Sequence, residues 1–230
     1  MRLLYAGLIV LVALLSCQDE NTPTGAPPDT DSYTFATPNG GELPPAERGP
    51  IRDVFEPPPI NLERFQLVVD GLVENPLSLS WEQIKAQNAV TTDTSFMYCV
   101  EGWEVWGVWK GVSVAELLKQ AKLQESATHV MFHGADGYTT AMPVDYLLNY
   151  NTLLAYDVNG APLKTHDGFP LRLTAFGLFG YKWAKYVSRL EVIDEAQLGF
   201  WEEYGYDNRA IVPLERRQFY EGPHPRVIDF

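Results

Sequence analysis

Cysteine is almost missing from this chain: Cys17 and Cys99 are the only two in 230 residues. Two cysteines cannot build a disulfide framework, so an apolar core has to carry the fold. Basic residues are also scarce, 17 Lys and Arg against 30 Asp and Glu, for a formal net charge of −13. That balance argues against nucleic acid or an anionic lipid surface as the main partner. No P-loop or dinucleotide fingerprint occurs, so ordinary nucleotide binding has no support. No Cys-x-x-Cys-His occurs, so electrons for any redox chemistry must come from a partner, not from a c-type haem. Internal repeats are absent, and the only strongly apolar run, Leu3 to Leu15, is shorter than the ~20 residues of a comfortable span.

That run is present for another reason. Arg2, the apolar stretch and Leu14-Leu15-Ser16-Cys17 make residues 1–17 a lipoprotein signal peptide with a lipobox. An uncleaved anchor helix is the alternative, and small Ser16 before Cys17 disfavours it. Processing would leave Cys17 as the lipidated N-terminus, and Gln18 after it is not a retention signal of the Asp type. The expectation is an exported, lipid-anchored protein on the periplasmic or outer-membrane face of a bacterial envelope. Residues 18–60 read as a linker, since ten of the 17 prolines fall between Pro23 and Pro59. Residues 61–230 read as one folded domain.

Within that domain short strands dominate. Phe65 to Asp70 alternates and stops at Gly71; Thr91 to Cys99 is again strand-like and delivers Cys99 at its end. Ser80 with Gln83, and Ser113 with Glu116, predict capped helices over Trp81–Gln87 and up to about Ala121. His129–His133 and Tyr138–Met142 suggest a strand pair, and Pro143 suits the first turn of a third short helix. Leu153–Val158 runs into Asn159-Gly160, a hairpin signal. Pro170–Ala175 and Lys185–Ile193 read as two more strands. No βαβ rhythm appears, so the class is α+β with mixed sheets and short helices.

Two features carry chemistry. A lone exported thiol, Cys99, is either a small buried hydrophobe or a nucleophile, redox group or metal ligand. Between Lys164 and Arg189 the charge balance inverts: Lys164, Arg172, Lys182, Lys185 and Arg189 stand against Asp167 alone, punctuated by Gly168, Gly177 and Gly180. Such a segment suits an oxyanion such as a phosphate, or simply a solvated strand face. Glu101, two residues from Cys99, suits either proton transfer or a salt bridge. Trp103, Trp106 and Trp109 could wall a site or only pack. His129 and His133 share a strand face, but no third zinc ligand is evident.

Together these residues resemble the sulfite-oxidase family of molybdopterin oxidoreductases. The resemblance spans roughly residues 50–206. It rests on Val69-Asp70-Gly71-Leu72-Val73, Cys99-Val100-Glu101-Gly102-Trp103, Asp136-Gly137-Tyr138, Leu154-Ala155-Tyr156, Gly168-Phe169-Pro170-Leu171-Arg172 and Gly180-Tyr181-Lys182. The chain looks closest to the single-domain bacterial branch that includes the periplasmic methionine sulfoxide reductase. The resemblance implies a sulfite-oxidase-type molybdopterin-binding fold, a molybdenum-molybdopterin cofactor, and Cys99 as the protein's metal ligand. It implies that Arg172, Gly180, Tyr181 and Lys182 hold the cofactor and that His133 touches it. Asp53 and Asp167 stand at cofactor positions where relatives carry Asn, or Asn or His. A twin-arginine pair, the usual export signal for a protein loaded in the cytoplasm, is absent from the first residues.

The resulting expectation is a membrane-tethered oxidoreductase that transfers oxygen atoms, with a membrane-bound electron donor or acceptor and a small or protein-borne sulfoxide as substrate. Sulfite oxidases resemble Cys-x-Gly-Asn-Arg-Arg after the ligand, and Val100-Glu101-Gly102-Trp103 lacks that basic pair. Sulfite oxidation and a cofactor-free binding module with the same fold are the alternatives.

Overall fold

The computed structural model describes residues 35–36, 42–43 and 53–216. The expected signal peptide, Cys17 and most of the expected 18–60 linker lie outside the described residues. β1 (Phe35–Ala36) and β2 (Glu42–Leu43) form a short antiparallel ladder. The main body then runs β3 (Gln66–Gly71), β4 (Leu77–Ser80), α1 (Trp81–Lys85), β5 (Ala89–Tyr98), β6 (Glu104–Ser113), α2 (Val114–Ala121) and β7 (His129–Gly134). It continues with β8 (Thr139–Pro143), α3 (Val144–Asn149), β9 (Leu153–Val158), β10 (Ala161–Pro162), β11 (Arg172–Thr174), β12 (Val187–Ile193) and α4 (Phe200–Glu203).

One sheet has the order β4-β3-β12-β7-β8, with β3 parallel to β12 and the other ladders antiparallel. The other has the order β10-β9-β6-β5, with β11 also on β9, all antiparallel. The α+β class with mixed sheets and short helices therefore holds. Helix starts follow their caps. Ser80 Oγ accepts from Gln83 N at 3.3 Å and Gln83 Oε1 accepts from Ser80 N at 2.8 Å, a closed capping box. Pro143 differs slightly from expectation: it closes β8 and stands just before α3.

The alternation of β3, β7 and β12 turns Leu67, Val69, Val130, Phe132, Leu190 and Val192 into a single apolar cluster. Ile84 of α1, Leu117 and Leu118 of α2, and Leu147 of α3 join it. Deleting one such leucine to alanine costs about 2–5 kcal/mol. Residues 104–113 were not expected as a strand, because Gly107, Lys110 and Gly111 interrupt the apolar pattern. They form β6 because the glycine lets β9 approach: a Cβ on Gly111 would sit 2.1 Å from Leu154 O.

The folded body also begins before position 61. Phe55 packs edge-on against Phe200 with ring centroids 5.3 Å apart, so the end of the expected linker is docked on the domain. An aromatic side chain with a ring to cover is a poor spacer residue. Among the described residues no helix is long and apolar enough to cross a membrane.

Candidate active site

β5 ends at Tyr98 and the chain turns back into β6 through residues 99–103. Cys99 N donates to Trp103 O at 2.8 Å, Gly102 N donates to Cys99 O at 3.1 Å, and Gly102 takes a φ of 96° that favours glycine. The turn folds its side chains inward on each other. Glu101 N donates to Cys99 Sγ at 3.5 Å, and the Glu101 carboxylate lies 4.0 Å from that sulfur. The Trp103 indole N–H donates to the same carboxylate at 2.8 Å, which fixes its orientation. Cys99, half-buried, thus has an acid held beside it by an aromatic residue of its own turn.

The basic segment is brought to the same strand. Tyr98 bridges Phe179 in parallel, which lays the Gly180–Lys182 turn alongside the end of β5. A Cβ on Gly180 would meet Met97 Sδ at 3.3 Å, so the glycine permits this close approach. Arg172, only 8% exposed, sends Nη2 to Met97 Sδ at 3.0 Å and Nη1 to Asp167 O at 2.9 Å. Its Nε has no partner, and its guanidinium lies 5.6 Å over Trp109. Burial pushes the Arg172 pKa down, while Asp167, Tyr186 and Asp53 hold it up. A buried cation resting on a thioether and a carbonyl is under-satisfied.

Asp53 lies in a cluster next to Arg172. Its carboxylate takes Lys185 Nζ at 2.6 Å, His166 Nδ1 at 2.6 Å and the Tyr186 hydroxyl at 3.2 Å. Burial alone would raise the Asp53 pKa, but Lys185 and His166 outweigh it and hold it below the ordinary carboxylate value. Asp136 sits in the same field; burial pushes its pKa up, against the N–H of Tyr138.

Three further expected site residues have protein partners. Lys182 is fully buried, but its ammonium pairs with Glu202 and donates to Ala141 O at 2.9 Å and Asn208 Oδ1 at 3.1 Å. Its three donors are engaged by protein groups, so Lys182 ties β8 to the α4 region. Tyr181 donates its hydroxyl to Asp207 O at 2.6 Å and stacks on Phe179, leaving its ring a wall element. His133 pairs with Glu191 at 2.9 Å, on the face where Arg189 also holds Asp70 and Glu191. Strand alternation sets the His133 side chain on the face opposite core Phe132. Asp167 contributes its backbone carbonyl to Arg172.

Sequence reasoning did not single out Lys185, His166, Met97 or Arg216. Arg216 Nη2 donates to Cys99 O at 3.1 Å, and its guanidinium lies 5.4 Å over Phe179. Lys185 stood in the basic segment, but nothing in the spacing separates it from Lys182. Among the described residues no group of three or more His, Cys, Asp or Glu could hold a metal.

A molybdopterin cofactor fits these residues. The unpaired Nε of buried Arg172 and the adjacent Lys185 ask for an anion such as a phosphate. The carboxylate of Asp136 can accept from ring N–H groups. A soft thiolate at Cys99 suits a redox metal held otherwise by sulfur.

Comparison with known proteins agrees. The family described as oxidoreductase molybdopterin binding domain matches residues 54–201. The chain is 37% identical over 160 residues to an uncharacterized oxidoreductase, YuiH, of Bacillus subtilis, covering 69% of this chain and 80% of that protein. It is 30% identical over 207 residues to the protein-methionine-sulfoxide reductase catalytic subunit MsrP of Gluconobacter oxydans, covering 80% of this chain and 64% of MsrP. Among solved structures, the sulfane dehydrogenase SoxCD of Paracoccus pantotrophus superposes with a TM-score of 0.58 at 26% identity, over 61% of this chain and 41% of that one. With a turn-borne cysteine beside a buried, under-satisfied arginine and a family match over most of its folded body, the chain belongs to the molybdopterin-binding oxidoreductases of the sulfite-oxidase family.

Proposed function

We propose that this protein reduces a sulfoxide to a thioether at a molybdenum-molybdopterin centre bound between Cys99 and Arg172. The observation that carries the reading is the Cys99 turn, in which Val100-Glu101-Gly102-Trp103 follows the cysteine in place of the pattern whose basic pair would suit an anionic substrate. When bound, the molybdenum centre supplies the two-electron couple for oxygen-atom transfer. Overall the sulfoxide takes two electrons and two protons, the S–O bond breaks, sulfur is reduced and the oxygen leaves as water. The electrons come from a membrane-bound donor protein. The relative named as a methionine-sulfoxide reductase supports this substrate class.

The chain's own residues take definite parts. Cys99 Sγ is the protein ligand to the metal. Glu101 Oε2, which accepts the Trp103 indole N–H and lies 4.0 Å from that sulfur, is the group placed to relay a proton at the site. Arg172 and Lys185 hold the cofactor's phosphate, Gly180 lets the backbone approach, and Trp109 excludes water beneath Arg172. Cys17 carries the lipid, and the proline-rich spacer lets the domain reach its membrane donor. One acyl chain anchors only marginally, so a diacylated or triacylated Cys17 is required.

Purified, metal-loaded protein assayed with a reduced dye should consume methionine sulfoxide and leave sulfite untouched. Rapid sulfite oxidation without sulfoxide turnover would reverse the choice of substrate. Cys17→Ala should shift the protein from membrane to soluble fractions; a mature N-terminus well past Cys17 would remove the anchor.

A further inference from the structure

Asp53 engages three donors with one carboxylate. Lys185 Nζ and the Tyr186 hydroxyl share Oδ1, and His166 takes Oδ2. The Asp53 side chain is 12% exposed. Lys185 lies directly beside Arg172: a Cβ on Gly168 would be 3.2 Å from the Cβ atoms of both. The two oxygens of Asp53 therefore occupy the donors that an incoming oxyanion would need. Arg172 stays outside this arrangement, with its Nε unpartnered and a thioether and a carbonyl as its acceptors.

We infer that Asp53 is a built-in counter-anion that competes with the ligand's phosphate for Lys185 and His166, so that a phosphate-bearing ligand enters by exchange with Asp53. The inference rests on the cofactor reading only for the identity of that ligand. A carboxylate and a phosphate on the same lysine repel each other, so charged Asp53 weakens anion binding. The same carboxylate offsets the repulsion between Lys185 and Arg172. Asp53 is the partner that moves. Lys185 and Tyr186 lead into β12, anchored where Val187 N donates to Leu171 O at 2.9 Å. His166 sits in a turn closed by Asp167 N to Lys164 O at 3.0 Å and Gly168 N to Thr165 O at 3.1 Å. Residues 53–60 have no regular secondary structure. Arg172, already short of partners, gives the arriving phosphate a foothold before the exchange.

The test uses the full chain made in a host lacking molybdopterin synthesis, with inorganic phosphate as the probe in a calorimetric titration. Asp53→Asn keeps the side chain's shape and removes its charge. It should bind phosphate at least about 10-fold more tightly than wild type. Adding Arg172→Gln should abolish that gain. Equal or weaker binding by Asp53→Asn overturns the inference, and Asp53→Ser replaces it if the Asn variant does not fold. A gain that survives Arg172→Gln also overturns it, because the phosphate then binds elsewhere. Failure of both Asp53 variants to fold overturns it too, since a counter-anion that exchanges with ligand is dispensable to the fold. Molybdenum content of wild type from a competent host separates the two readings. No molybdenum with a tenfold gain keeps Asp53 and sinks the cofactor; molybdenum with no gain does the reverse.

Discussion

Arg172 and Lys182 stand ten residues apart, both withdrawn from water, and the fold treats them in opposite ways. Lys182 has a carboxylate, a carbonyl and an amide oxygen around its ammonium. Arg172 has a thioether, a carbonyl and an empty Nε. Leaving a buried charge short of partners costs stability, so a site that persists in that state is one where a ligand completes it. The comparison separates a cation that holds the protein together from one that holds something else.

The sharpest way to break the comparison is Lys182→Met, which strands Glu202 in the interior. It should cost about 3–5 kcal/mol, read as a large fall in the denaturant midpoint. Lys182→Met combined with Glu202→Leu should recover most of that loss, because two apolar groups of similar size need no pairing. If the double variant is as unstable as the single one, the pair does more than neutralise itself.

Arg172→Gln should behave differently. It removes two modest hydrogen bonds but relieves a desolvated charge, so the empty protein's stability should change by no more than about 1 kcal/mol. Phosphate and cofactor binding should be lost at the same time. A destabilisation as large as that of Lys182→Met would make Arg172 a structural cation and end the distinction.

The smallest effect concerns pH. The folded Asp53 carboxyl lies below its ordinary value of 3.8, so its stabilisation is present above that pH and lost as the pH falls through the lower folded value. Asp53→Asn should therefore narrow the stability difference between about pH 6 and about pH 3 by a few tenths to about 1 kcal/mol. Urea unfolding at the two pH values checks this; an unchanged difference would show that Asp53 gains nothing from Lys185 and His166.

Much of this layout is legible in the chain because it is local. Cys99 at a strand end, its turn with Glu101 and Trp103, the Ser80 cap and the Asn159-Gly160 hairpin all depend on neighbours within a few residues. The basic segment and its glycines, Gly180 among them, are visible as composition. What escapes is long-range pairing. Lys182 and Lys185 look alike until Glu202 claims one and Asp53 the other, across 20 and 132 positions. The partner of His133, Glu191, lies 58 positions away and is equally hidden. Arg216 reaches the Cys99 carbonyl from 117 positions away. β6 is hidden because its glycines serve a neighbouring strand and not its own pattern.

The central claim is that Cys99 is the protein ligand of a molybdenum centre. Molybdenum per chain, measured by elemental analysis on wild type and Cys99→Ser isolated from the native envelope, tests it directly. Serine is nearly isosteric with cysteine but is a harder and far less acidic ligand, so the fold should survive. About one molybdenum per wild-type chain and only background in the variant is the result expected. Equal molybdenum in both proteins, or none in wild type with the cofactor pathway intact, would contradict it.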